Sequence, residues 1–234
     1  IMEYKIASHI ALEGANNARD LGGYPAAGGR TTARYAFFRC ESPAHLTERD
    51  IALLLGLGLK GVIDLRSPDE IAREPGPFMA LGTVSYHNIP LFSGSLPPHV
   101  IANGNMGDLY VHMLDSAQPG FLAVFKVILE TPGAVLFHCS AGKDRTGLVA
   151  ALLLLCAGVT KETVITEYHY TEQLLGGWVE TQLELARRHG HELDRRLLKA
   201  ERSSIEKALD PLEAVYGSAD DYMAAFGLSE LQVA

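Results

Sequence analysis

The chemistry of this chain is concentrated in His138-Cys139-Ser140-Ala141-Gly142-Lys143-Asp144-Arg145-Thr146-Gly147, where five residues separate a cysteine from an arginine. Ahead of it lies a short apolar run, Ala134-Val135-Leu136-Phe137, set off by Pro132-Gly133. That is the pattern of a buried central strand. Behind it, Gly147 to Ala157 is apolar on nearly every face. Such a segment reads as a helix buried all round, with Gly158 as its stop. Strand, tight loop and helix in this order put the loop at the carboxyl end of a sheet, where open α/β folds hold ligands.

The spacing has a physical logic. A helix N-terminus leaves its first N–H groups unpaired and carries partial positive charge. The successive amides of Ser140, Ala141, Gly142, Lys143, Asp144 and Arg145 would make an anion cradle there. Gly142 permits the turn. Arg145 offers two parallel donors to two phosphate oxygens, which a lysine does not. The same positive field favours the thiolate of Cys139. A thiolate beside a bound phosphate attacks in line and gives a phosphocysteine. Thr146 is expected to donate its hydroxyl to the Cys139 sulfur. A buried structural cysteine is the alternative, but it does not account for the glycine and charged residues beside it. A Walker-type loop is excluded, because Asp144 stands where Ser or Thr must follow the lysine.

HCSAGKDRTG resembles the phosphate-binding loop H-C-x5-R-[ST] of the protein tyrosine phosphatase superfamily, and its GKDRTG ending resembles the bacterial tyrosine phosphatase family, which includes atypical lipid phosphatases. Further segments agree. Asn17-Ala18-Arg19-Asp20-Leu21-Gly22-Gly23 is similar to that family's N-x-R-D-L-G-G, and Phe38-Arg39-Cys40 to its F-R-S, with Cys for Ser. Val62-Ile63-Asp64-Leu65-Arg66-Ser67 resembles its D-L-R-S strand end, and Tyr216-Gly217-Ser218 through Gly227-Leu228 its closing segment. The resemblance implies a cysteine-dependent phosphomonoesterase acting on phosphotyrosine, with phosphoserine, phosphothreonine and phosphoinositides as further substrates. It also implies no metal or other cofactor, and a loop-orienting role for His138. A phosphoinositide or inositol-phosphate phosphatase is the alternative enzyme. A phosphate-binding adaptor on the same fold is the rival from another class, disfavoured because both Cys139 and Arg145 are present.

Expelling the leaving group needs a general acid. Conventional tyrosine phosphatases carry it in a W-P-D loop, but the single Trp here is Trp178 and no W-P-D occurs. Asp144 is the first candidate; its alternative role is electrostatic tuning of the loop. Asp64, at the end of a strand expected beside the loop strand, is the second. Its alternative is a buried ion pair with Arg19, Arg39 or Arg66. Lys143 reads as a third cation at the mouth or as a partner of Asp144, and in the resembling superfamily a lysine here accompanies multiply phosphorylated lipid substrates.

The chain has 234 residues, 47% of them hydrophobic, so a sizeable core needs no disulfides. It is read as one phosphatase domain over 1–234. Its three cysteines, Cys40, Cys139 and Cys156, lack a C-x-x-C pair and suit a reducing compartment. Cys40 is a candidate reversible disulfide partner of Cys139, with a neutral Ser-to-Cys replacement as the alternative. A formal charge of −8 disfavours nucleic acid and anionic membrane surfaces. The partner expected is a phosphoprotein or phosphorylated lipid, and oligomeric state is left open. No apolar run approaches a transmembrane span. A cytoplasmic location is expected, although Ile1-Met2 reads as a remnant and leaves a removed targeting segment open.

Alternating strands and helices predict an α/β fold. Its central, mostly parallel sheet should carry helices on both faces, with a helical C-terminal half. Leu21 to Cys40 reads as two strands around Ala26-Ala27-Gly28-Gly29. Thr47 should cap a helix through Leu55, and Ser67-Pro68-Asp69-Glu70 is a capping box. Gly61 to Leu65 and Thr83 to Leu91 read as strands. Residues 92–107 form a candidate lid or an ordinary loop. Asp108 to Asp115 and Pro119 to Leu129 read as helices, as does Thr160 to about Leu174. A break is expected at Gly176-Gly177. Residues 176–210 form a candidate helical insertion whose arginines read as a solvated face. His189 and His191 are two apart and do not share a helix face, so no metal site is expected from them.

Overall fold

The computed structural model describes residues 8–92 and 97–228. Five strands build the sheet: β1 (Arg19–Asp20), β2 (Phe37–Cys40), β3 (Leu59–Asp64), β4 (Ser85–Asn88) and β5 (Ala134–His138). Their order is β1-β2-β5-β3-β4, with β1 antiparallel and the rest parallel. The apolar run before the signature loop is the central strand, as its composition requires. Register places Cys40 and Asp64 on either side of His138. The chain therefore leaves β2, β3 and β5 at one level, and the three following loops meet there.

Side chains alternate along the strands, so the core divides into two clusters, one on each face. Val135, Phe137, Cys139, Ile63 and Leu65 face one cluster. Helices α4 (Gly107–Ser116), α5 (Gln118–Glu130), α6 (Asp144–Cys156), α7 (Lys161–His169), α11 (Arg202–Tyr216) and α12 (Ala219–Ala225) pack into it. Leu136, Phe38, Cys40, Leu59 and Val62 face the other cluster, covered by α1 (Glu48–Gly56) and by Phe78. Cys40 and Cys139 thus lie on opposite faces, and both are free thiols. This geometry does not favour the disulfide considered from sequence.

The expected capping box is present: Ser67 and Glu70 bond reciprocally at the start of α2 (Pro68–Arg73). Thr47, expected as an N-cap, does cap α1, and it also forms a capping box with Asp50. Several boundaries differ from expectation. Between residues 21 and 36 a single Pro25–Thr31 bridge replaces a continuous ladder, because the segment is too rich in Gly and Pro to sustain one. The strand expected over 83–91 is regular only over β4. The lid candidate contains a helix, α3 (Pro98–Asn103), while its residues 93–96 lie outside those described. Helix α7 stops at His169 and is followed by α8 (Thr171–Leu174). The break expected at Gly176-Gly177 falls one residue earlier, at Leu175, and the two glycines already belong to α9 (Gly176–Arg188). The candidate insertion is α9, α10 (Arg195–Leu198) and the first half of α11. Its arginines are mostly paired at the surface: Arg195 with Glu180, Arg196 with Asp194, and Arg202 with Glu162. Among the described residues no helix is long and apolar enough to cross a membrane.

Helix α7 is tied to the sheet by charge. The Glu167 carboxylate, 1% exposed, accepts from Arg19 Nε at 2.5 Å and from Arg39 Nη1 at 2.6 Å. Arg19 also donates to Asn17 and to Thr171. Burial works against the Glu167 anion, but the two guanidiniums outweigh it and hold the carboxyl below its ordinary range. Removing one member of such a buried set leaves uncompensated charge. Glu167→Gln should therefore destabilise the fold by about 3–5 kcal/mol, read from the urea midpoint at unchanged m-value. A loss below about 1 kcal/mol would show that these ions do not hold α7 in place.

Candidate active site

The signature loop leaves β5 at His138 and enters α6 at Asp144. Among the described residues, the N–H groups from Ser140 to Thr146 donate to no other group. The carbonyls are turned away and met from behind. Ser140 O accepts from the Ser42 amide at 2.9 Å. Asn17 Nδ2 donates to Ala141 O and Gly142 O at 3.0 and 3.2 Å, and Arg39 Nη2 donates to Gly142 O at 2.7 Å. These amides are left unpaired at the start of α6, where the spacing puts the expected anion cradle. Gly142 has φ of 65°, and a Cβ there would lie 2.3 Å from the Cys40 carbonyl oxygen. Only glycine fits a loop pressed this closely onto the end of β2.

Cys139 is 2% exposed and packs into the first core cluster. The guanidiniums of Arg39 and Arg145 are within electrostatic reach of its sulfur. Arg145 is braced by a carboxylate that the sequence showed only as a helix cap. Glu70 accepts from Arg145 Nη1 at 2.7 Å and from Nη2 at 2.8 Å, and from Ser140 Oγ at 2.6 Å. The same carboxylate accepts from the Ser67 amide. Its burial is opposed by the Arg145 fork, which holds the carboxyl far below its ordinary range. Reciprocally, burial would weaken the Arg145 cation, but Glu70 holds it firmly protonated.

Four other expected site residues take the following places. Asp64 is fully buried: Arg66 donates to it at 2.7 and 3.0 Å and Tyr86 Oη at 2.8 Å. Of the partners considered from sequence, Arg66 is the one it pairs with. Burial is again outweighed, first by the Arg66 hydrogen bonds, and the carboxyl stays below its ordinary range. The Thr146 hydroxyl is buried and has no hydrogen-bond partner among the described residues, so the expected bond to the Cys139 sulfur is not formed. Lys143 is 3% exposed and not a free cation of the mouth. Its ammonium donates to Leu197 O at 2.7 Å and Lys199 O at 3.1 Å, and lies 3.4 Å from Asp144 Oδ1. Carbonyls at the end of α10 have captured it. His138 is fully buried behind the loop; its Nδ1 donates to Cys139 O at 3.3 Å. Burial pushes its imidazole down to about 4, which keeps it neutral at pH 7.

Asp144, at the first position of α6, accepts a very short hydrogen bond from Tyr110 Oη. Residues that sequence reasoning missed therefore include Glu70, Tyr110, Tyr168 and Glu167. The Ser67–Glu70 spacing was a signal for Glu70, read only as a cap. The tyrosines carried no local signal.

Sheet and loop together define the class, a phosphatase built around a cysteine. More narrowly, the chain belongs to the tyrosine phosphatase family, whose model matches residues 10–234. A tyrosine-protein phosphatase of Nostoc commune is 32% identical over 219 residues, covering 85% of this chain and 71% of that one. The triple specificity protein phosphatase PtpB of Mycobacterium tuberculosis is 29% identical over 190 residues, covering 67% of each. The crystal structure of P. aeruginosa TpbA is similar at 18% identity and a TM-score of 0.41, covering 85% of this chain and 90% of that one.

The buried titrating groups predict a two-stage loss of stability in acid. His138 charges at about 4 in the fold and at about 6.5 when unfolded. The unfolded chain therefore binds the extra proton first, and stability falls as pH drops from about 6.5 toward about 4. Glu70, Asp64 and Glu167 have depressed values. Their contribution is complete above the unfolded carboxylate range near about 4 and is lost as pH falls through their folded values. Urea midpoints measured across that span should show both descents, and His138→Gln should remove only the first. A first descent unchanged in that variant would assign it to another group.

Proposed function

We propose that this chain is one phosphatase domain that hydrolyses phosphotyrosine on protein substrates through a phosphocysteine intermediate. The observation that supports this most is the run of unpaired amides from Ser140 to Thr146 that directly follows Cys139, with Arg145 braced by Glu70. Phosphate oxygens take the places of the missing acceptors, and Arg145 binds two of them through Nε and the Nη2 hydrogen that otherwise makes only a 3.4 Å contact with Ser140 Oγ, since Glu70 takes one hydrogen from each Nη. The Cys139 thiolate attacks phosphorus as the ester P–O bond breaks. Asp144 gives its proton to the departing oxygen. A water then attacks the phosphocysteine; Asp144 takes one of its protons, the S–P bond breaks, and inorganic phosphate leaves with the thiolate restored.

Asp144 is favoured over Asp64 as acid because it stands at the loop and is a quarter exposed, whereas Asp64 is sealed beneath Arg66. Phosphoserine and phosphothreonine fit the same bowl, and the triple-specificity relative supports that breadth. The phosphoinositide alternative loses the cation that favoured it, since Lys143 is held by backbone carbonyls.

Para-nitrophenyl phosphate should be turned over in the presence of a chelator and inhibited by vanadate. Cys139→Ser should abolish turnover while still binding substrate, and Arg145→Lys should lower kcat/KM by about 10²–10³. Turnover that survives Cys139→Ser would refute the mechanism. Asp144→Asn should slow phenyl phosphate, a poor leaving group, far more than para-nitrophenyl phosphate, whereas Asp64→Asn should slow both alike.

A further inference from the structure

Asp144 does not hang free above the bowl; its two oxygens are in different surroundings. Oδ1 accepts from Tyr110 Oη and faces the Lys143 ammonium at 3.4 Å. Among the described residues, no hydrogen bond reaches Oδ2. Tyr110 comes from α4 and is fully buried. Its hydroxyl has one hydrogen, committed to Asp144, so the Tyr168 hydroxyl, 2.6 Å away, must donate to Tyr110. The two rings meet edge to face with centroids 6.0 Å apart. Tyr168 is seated against Gly147, where a Cβ would lie 2.9 Å from its ring. Glycine at this position of α6 therefore makes room for the tyrosine that stands behind Asp144.

We propose that Tyr110, backed by Tyr168, is the positioning residue that assigns the transferable proton of Asp144 to Oδ2. This rests on the reading of Asp144 as the acid. With Oδ1 held as an acceptor, the acid proton resides on Oδ2, the oxygen that no protein group occupies. When that proton passes to the leaving oxygen, the new carboxylate is stabilised by a hydrogen bond already in place, so no reorganisation is needed. Both tyrosines stay protonated throughout. Burial, followed by the Asp144 charge, raises each phenol well above its ordinary range.

The test compares kcat and KM for phenyl phosphate and para-nitrophenyl phosphate in the intact chain. The variants are Asp144→Asn, Tyr110→Phe and Tyr168→Phe. Tyr222→Phe is the control, since that buried hydroxyl donates instead to Leu114 O. Tyr110→Phe should lower kcat/KM, which reports the P–O cleavage step, about tenfold or more on phenyl phosphate and less than about twofold on para-nitrophenyl phosphate. Tyr168→Phe should show a smaller loss with the same selectivity, and the control an equal effect on both substrates. Equal losses on both substrates in Tyr110→Phe, with Asp144→Asn still selective, overturn the positioning role alone. A non-selective Asp144→Asn overturns the acid assignment and this proposal with it. If Tyr110→Phe does not fold, Tyr168→Phe decides: a selective loss supports the proposal and an equal loss overturns it.

Discussion

An amide bowl can point its N–H groups at one spot only if the intervening carbonyls point elsewhere and find donors. That requirement organises this molecule. Buried carbonyls left unpaired are as unfavourable as unpaired amides. Here Ser42, Asn17 and Arg39 meet them. Two of those three lie in N-terminal segments more than a hundred residues from the loop they support. The short β1 strand and the turn before it are thus as much a part of the site as β5.

Each cation around the bowl has a carboxylate behind it. Glu70 braces Arg145, and Glu167 braces Arg39. On Arg145 the carboxylate takes one hydrogen from each Nη, Leu65 O and Ser140 Oγ make weaker contacts at 3.4 Å, and Nε is left for an entering anion. Helix α7 serves two arms of this scaffold with adjacent residues. Glu167 reaches the loop through Arg39, and Tyr168 reaches Asp144 through Tyr110. An acidic chain with a locally cationic site is the natural result.

What the sequence revealed was local. The cysteine–arginine spacing, the apolar strand before it, the buried helix behind it, the Thr47 cap and the Ser67–Glu70 capping box are patterns within a few residues, and each stands in the structure. The sheet with helices on both faces followed from the alternation of such patterns. Pairings between distant positions were not legible. Tyr110 is separated from Asp144 by 34 positions, and Lys143 from Leu197 by 54. Nothing near Lys143 announces that carbonyls at the end of α10 will enclose its ammonium. The helix end expected near Leu174 is where α8 stops, but the interruption at Tyr170 was not legible for a related reason: tertiary packing decides there and intrinsic propensity does not.

The enclosure of Lys143 has one further implication. Its ammonium fastens the Leu197–Lys199 strip directly to the residue that precedes α6. The strip is joined to α9 through an exposed stretch, residues 189–193. Opening this outlying segment would break both bonds and leave the Lys143 ammonium without its carbonyl partners beside the loop. A protease that nicked the exposed stretch would loosen the catalytic loop from a distance.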